Sequence, residues 1–160
     1  MTRKSGILPW TRSCFVCGQD NAQGLRLRSK VENGLVVIDY KTRDTDRGWR
    51  HIIHGGIAMT LLDEVMTWAA ILKARRACVA AEISTRLTKP IFVGQRLRIE
   101  GEVTDTKSRL MLTESRILGQ DGIVLMIAHG KYLPMPEDQA ELCEKDFVVS
   151  GESIPLAEIL

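Results

Sequence analysis

Residues 25–33 (Leu-Arg-Leu-Arg-Ser-Lys-Val-Glu-Asn) alternate apolar and polar positions with period two, and Asn33-Gly34 is followed by a second strand-like run, Leu35 to Lys41. An Asn-Gly pair between two such runs predicts a β-hairpin with a tight turn. Charged residues 43–50 form a loop, and the pattern then changes. From Gly56 to about Lys73 the apolar residues Ala58, Leu61, Leu62, Val65, Ala69 and Leu72 recur at helical spacing. Ile57, Met66, Trp68 and Ile71 carry the apolar surface almost round the helix, so protein must wrap it. Its polar positions, Thr60, Asp63, Glu64 and Thr67, lie three and four apart and predict one narrow stripe. Lys73, Arg75 and Arg76 close the helix with positive charge, as its dipole favours.

Four strand-like runs follow, near 77–89, 94–106, 109–118 and 123–133, separated by Gly94, Lys107-Ser108 and Gly119-Gln120-Asp121-Gly122. Short connections favour antiparallel neighbours. The expected order is β-β-α-β-β-β-β, an α+β class with one long helix wrapped by a curved antiparallel sheet. Residues 1–24 read as an irregular or short helical lead-in, 25–134 as the folded domain, and 135–160 as an acidic tail, flexible or packed, with a short helix near 137–145.

Composition adds limits rather than a function. The chain of 160 residues is long enough for one domain with a real core. Net charge is +2, but the tail from residue 135 holds only Lys145 against seven acids, which leaves the body basic. Acids interspersed through that body argue against a nucleic-acid surface. Met1 to Gly18 has no continuous apolar run, so no leader is expected. The longest apolar segment, Gly56 to Leu72, contains Asp63 and Glu64 and is short for a membrane span, so the expected location is the cytoplasm. Cys14-Phe15-Val16-Cys17 has zinc-ligand spacing, yet no second CxxC follows. His51 and His54 are too close together for the usual pair, so reduced thiols without a metal are expected.

The chemistry concentrates at His54-Gly55-Gly56 and the helix after it. A backbone N–H at a helix N-terminus meets developing negative charge with a donor and with the positive end of the dipole. Asp63 lies eight residues beyond Gly55, about 12 Å along one helix. One chain therefore cannot bring both to one carbonyl, and a site joining them needs two subunits. Thr67, one turn after Asp63, either orients the carboxylate or bonds its own i−4 carbonyl. Glu64, rotated by about 100° from Asp63, is expected to pair with an arginine or a backbone group.

These residues carry a resemblance. Cys14-Phe15-Val16-Cys17-Gly18 with Asn21 and Gly24-Leu25, then His54-Gly55-Gly56 with Leu61-Leu62-Asp63-Glu64, then Glu82, Pro90 and Gly94, resemble hotdog-fold thioesterases of the phenylacetic-acid-degradation type. That family lies within the 4-hydroxybenzoyl-CoA thioesterase superfamily. The resemblance spans about residues 14–134 and implies hydrolysis of acyl-CoA or acyl-carrier-protein thioesters by a homodimer or dimer of dimers, with no cofactor. It implies Asp63 as general base or nucleophile, Gly55 N–H as donor to the thioester oxygen, His54 shaping the turn, and Thr67 assisting. Gly56, Leu62, Met66, Ala80, Ala81, Glu82, Ile83 and Lys89 would line the substrate site, and Arg75, Arg76 and Arg86 are further candidates for CoA phosphates.

The chain also departs from the pattern. Gly48 stands six residues before the His, where some relatives carry Asn, and Ala80 stands where some carry a second hydroxyl. Arg47, Arg50 and His51 either compensate or form a solvated loop. Two other readings fit parts of the pattern. A non-catalytic acyl-CoA-binding or sensing module would have no use for Asp63. A hotdog hydratase would use an Asp-x4-His pair, and Asp46 with His51 matches that spacing without its surrounding context.

Overall fold

A computed structural model describes residues 5–160. Two short strands, β1 (Gly6–Ile7) and β2 (Trp10–Thr11), stand in the described part of the lead-in, which contains no helix. The hairpin follows as β3 (Lys30–Glu32) and β4 (Leu35–Lys41). Its turn residues Asn33 and Gly34 have φ of 49° and 82°, the left-handed conformation a two-residue turn demands. The first strand is shorter than the alternation suggests. Leu25 N–H and Leu27 N–H bond to the carbonyls of Phe15 and Val16 (2.7 and 2.8 Å), and Arg26 between them has φ 53°. This segment is committed to the cysteine turn and joins the sheet only from Lys30.

A 3-10 turn (Asp44–Asp46) leads into a small hairpin, β5 (Arg47–Trp49) and β6 (Ile52–Ile53), where a plain loop was expected. Then come α1 (Gly55–Ala74), β7 (Cys78–Leu87), β8 (Arg96–Lys107), β9 (Leu110–Gly119) and β10 (Val124–Pro134). The chain closes with α2 (Glu137–Glu144), β11 (Phe147–Val148) and α3 (Leu156–Ile159). The main sheet has seven strands in the order β1-β3-β4-β8-β9-β10-β7, and all its pairs are antiparallel.

Helix α1 packs against β4 and β7 to β10. Leu61, Leu62, Val65, Met66 and Ala70 are wholly buried there, with Ile38, Ile99, Ile117 and Tyr132 from the sheet. Each large apolar side chain so buried stabilises the fold by about 1.5–3 kcal/mol. By length and apolarity α1 could cross a membrane, but more than half of that stretch is buried inside the fold. Gly56, Met59, Thr60, Asp63 and Thr67 form the stripe that this chain's sheet leaves partly open.

The tail is packed. β11 pairs with β2, Phe147 lies 5.5 Å from the Trp68 ring, and Ile159 is buried. Arg75 at the end of α1 donates to the carbonyls of Ala157 and Leu160.

Candidate active site

His54 caps α1. Its Nδ1 accepts the Gly56 N–H at 3.0 Å and its carbonyl accepts the Ile57 N–H, so a neutral His54 carries its proton on Nε2. Gly55 is the first helical residue, and its N–H makes no hydrogen bond among the described residues. A Cβ built on Gly55 meets no atom within 4 Å. The glycine is therefore not there for tight packing of the helix start. A free donor and open space coincide at the positive end of a 20-residue helix. Gly48, Trp49, Ile53, His54 and Gly55 line a cavity of about 320 Å³ at this turn.

Gly48 has a local explanation. A Cβ there would lie 2.9 Å from His54 Cα and 3.2 Å from His54 N. The β5–β6 hairpin folds back against the helix cap and leaves no room for an Asn-like helper. A larger cavity, about 450 Å³, lies over β4 and β8 among Asp39, Lys41, Arg96 and Arg98. Arg98 in its wall is ion-paired with Glu32 and Glu100, and none of the residues that line it belongs to α1.

Asp63 sits two turns into α1 and is partly exposed. Its Oδ1 accepts from Tyr132 Oη at 2.5 Å and from Thr67 Oγ1 at 3.3 Å, while no donor among the described residues reaches Oδ2. Thr67 thus bonds the carboxylate, and it is Thr60 that bonds its own i−4 carbonyl, that of Gly56. Tyr132 is completely buried. Burial, then the bond to Asp63, holds its phenol well above the ordinary range, so it stays a donor.

Sequence reasoning missed Tyr132, although a signal existed. Met126, Ala128, Gly130 and Tyr132 alternate inward along β10, and a buried tyrosine needs a partner for its hydroxyl. The register places Tyr132 opposite Ala80, at a bulge where β7 carries Ala81 as the extra residue. A hydroxyl absent from position 80 is therefore supplied beside it from the neighbouring strand. Its ring lies over Gly130, where a Cβ would come within 2.5 Å of Tyr132 Cε2.

The single polar stripe expected on α1 is split in two. Asp63 and Thr67 face Tyr132, whereas Glu64 points to the other side of the helix, buried against Cys14 and Cys17. Its partner is neither an arginine nor the backbone. Trp68 Nε1–H donates to Glu64 Oε1 at 3.1 Å. Burial, with Cys14 beside it, pushes the Glu64 carboxyl up to about 7. The hydrogen bond from Cys17 lowers the Cys14 thiol, and Cys17 is raised in turn.

The other expected site residues fall in different places. Leu62 and Met66 are wholly buried core residues, so a ligand lying along α1 in this chain does not touch them. The inward strand residues fill the space around them. Gly56, Ala80 and Ile83 are partly exposed, Ala81 and Lys89 are exposed, and Glu82 pairs with Lys131 at 2.8 Å. Arg75 is occupied by the tail, while Arg76 is half-buried and Arg86 exposed. Asp46 and His51 do not meet as an acid–histidine pair. Asp46 is buried between Tyr40 and Arg43, and His51 is exposed.

The long helix held by a seven-stranded antiparallel sheet, with a glycine turn at its start, defines a hotdog-fold protein. The sequence profile of the thioesterase superfamily matches residues 51–126, which take in the turn, the helix and strands β7 to β9. Over those residues the chain is similar to that superfamily. No curated protein matches the chain. Among solved structures, one thioesterase superfamily protein shares 24% identity at a TM-score of 0.66, covering 76% of this chain and 60% of that one. The PaaI protein from the E. coli phenylacetic acid degradation operon shares 20% identity at a TM-score of 0.61, covering 69% and 78%. A hypothetical thioesterase from Streptococcus pneumoniae TIGR4, solved with coenzyme A, shares 20% identity at a TM-score of 0.60, covering 65% and 83%.

Proposed function

We propose that this protein hydrolyses acyl thioesters, with coenzyme A as the carrier. The observation that carries the reading is the state of Asp63: one oxygen is held by Tyr132 and Thr67, and the other is free. A carboxylate so anchored presents a fixed acceptor. In the general-base route Oδ2 takes a proton from water as its oxygen bonds the thioester carbon. The carbonyl oxygen, now negative, is met by the Gly55 N–H and the helix dipole. Collapse of that intermediate restores the C=O bond and expels the thiolate, which recovers the proton. In the nucleophilic route Oδ2 itself bonds the carbon, the thiolate leaves, and water cleaves the resulting anhydride.

The same reading assigns Gly55 and Asp63 to opposite halves of a shared site, because helix length separates them within one chain. β7 supports this assembly. It is an edge strand of the main sheet, with Val79 and Leu87 about half exposed, and it runs beside the open stripe of α1. An uncapped edge with apolar side chains suits pairing with a second copy. Coenzyme A in the S. pneumoniae structure supports the carrier class. Exposed Lys89 and Arg86 are then the phosphate contacts.

A panel of acyl-CoAs, from short aliphatic to aromatic, assayed with a thiol reagent tests the reading directly. The expected result is hydrolysis of at least one member, lost by about 10²–10³ or more in Asp63→Asn with the fold intact. Binding of acyl-CoA without turnover by the wild-type chain would point to a sensing module instead. Labelled water in a single turnover separates the two routes, since only the nucleophilic one puts label into Asp63.

A further inference from the structure

The thioesterase reading leaves three ionisable groups of the interior unused. Cys14 Sγ, Cys17 Sγ and a Glu64 carboxylate oxygen all lie within 4.8 Å of one another. The thiols come from the turn ahead of the main sheet and the carboxylate from the middle of α1. Cys17 and Glu64 are buried, and Cys14 is half-buried. A carboxylate in such a place calls for a cation or several donors. Among the described residues no lysine or arginine forms an ion pair with Glu64, and its side-chain partners are the Trp68 indole and the thiols.

The turn itself is shaped to gather sulfur toward that carboxylate. Val16 N–H points at Cys14 Sγ at 3.3 Å, and Gly18 N–H closes the loop on the Cys14 carbonyl at 2.9 Å. Phe15 and Val16 carbonyls are tied to residues 25 and 27, which fixes the loop against the body of the domain. Thiolates three positions apart plus a carboxylate form the donor set of a thiophilic divalent ion. Metal–sulfur bonds of about 2.3 Å and metal–oxygen bonds of about 2.0–2.2 Å place tetrahedral donors roughly 3.5–4 Å apart. Closing the observed cluster to that size needs shifts of about an ångström at most.

We propose that Cys14, Cys17 and Glu64 bind a thiophilic divalent cation of the zinc class, with a water in the fourth position. Binding displaces the thiol protons and leaves Glu64 paired. Trp68, bonded to the same carboxylate, orients it as a partner behind a metal ligand does. The ion would pin the lead-in turn to α1 at the residue adjoining Asp63, so its role is to fix the helix rather than to act on substrate. The Cys14–Cys17 spacing suits zinc, but the third ligand is not legible in the sequence, because it lies 47 positions from Cys17 and is not a cysteine or histidine. The proposal stands apart from the catalytic reading and is read out without an activity assay.

The test is a cobalt titration of the full chain, reduced and freed of metal with a chelator. The expected result is a thiolate-to-cobalt charge-transfer band with tetrahedral ligand-field bands, saturating at about one cobalt per chain and abolished by zinc. Cys14→Ser and Cys17→Ser each lose charge-transfer intensity, and Glu64→Gln binds at least ~10-fold more weakly while keeping the band. Because the wild-type spectrum is read first, a variant that fails to fold does not decide the matter. Absence of the band at saturating cobalt, with both thiols reacting freely with a thiol reagent, would overturn the proposal. So would a Cys14–Cys17 disulfide that, once reduced, still binds no cobalt.

Discussion

Tyr132 donates its phenolic hydrogen to Asp63 Oδ1 at 2.5 Å, across 69 residues of sequence. The bond fixes one oxygen of the carboxylate and leaves the other to do chemistry. Tyr132→Phe removes a donor worth about 1.5–3 kcal/mol to a charged acceptor. If the bond serves catalysis, kcat falls by roughly 10–100-fold while KM changes little. Steady-state kinetics on the best acyl-CoA checks this, and an unchanged kcat would make the tyrosine structural only.

Gly130 makes that contact possible by keeping its face of β10 empty. A methyl group there would sit 2.5 Å from Tyr132 Cε2, 2.7 Å from Thr113 Oγ1 and 3.1 Å from Met66 Sδ. Gly130→Ala is therefore expected to cost about 1–3 kcal/mol through overpacking. It also moves the ring, so kcat drops together with stability. Thermal unfolding and kinetics of this variant beside Tyr132→Phe separate the two effects, because the phenylalanine variant keeps the packing. A Gly130→Ala protein as stable and active as wild type would show that the ring can move aside.

Gly55 permits a cleaner separation of donor from fold. Proline is favoured at the first helical position, and His54 before it already has φ −65° and ψ 132°, the extended conformation a following proline requires. The space around Gly55 is open. Gly55→Pro should thus fold with a Tm at or above that of wild type, yet lack the N–H assigned to the thioester oxygen. A loss of about 10²–10³ in kcat is expected, with Gly55→Ala as the control that keeps the donor. Equal activity in the proline variant would remove Gly55 from the mechanism.

Much of this architecture can be read from the chain because its signals are local. Alternation places β4 and β7 to β10 within a few residues, and His54-Gly55-Gly56 marks the start of α1. What escapes is decided by contacts between segments. Leu25 and Leu27 alternate like a strand but bond to the cysteine turn instead. Asp63 and Glu64 are neighbours in sequence, and only the wrapping of the sheet shows that one faces Tyr132 while the other faces two thiols. The bulge opposite Tyr132 has no sequence mark, since it arises from the pairing of two strands. Gly48 looks like the loss of a helper in one dimension and proves to be a steric requirement of His54 in three.

Asp46 sets the acid limit of the turn before α1. It is buried, and it accepts from Arg43 Nε and Nη2 (3.0 and 2.8 Å), from Arg43 N–H (2.7 Å) and from the Tyr40 hydroxyl. Burial alone would raise its carboxyl, but the bonds from Arg43 and Tyr40 outweigh it and hold the group below its ordinary value of 3.8. A depressed folded pKa means that the unfolded chain takes up protons first as pH falls. The stabilisation is then complete above about pH 4 and disappears as pH drops through the folded value. Asp46→Asn should cost about 1.5–3 kcal/mol at neutral pH. The gap from wild type should narrow below about pH 4. Because Asp46 also accepts the His54 N–H at its carbonyl, 2.8 Å, the side chain anchors the same residue that caps α1. Urea unfolding of both proteins across the acid range measures the gap, and one that stays constant down to about pH 2 would show that Asp46 is not held ionised by these partners.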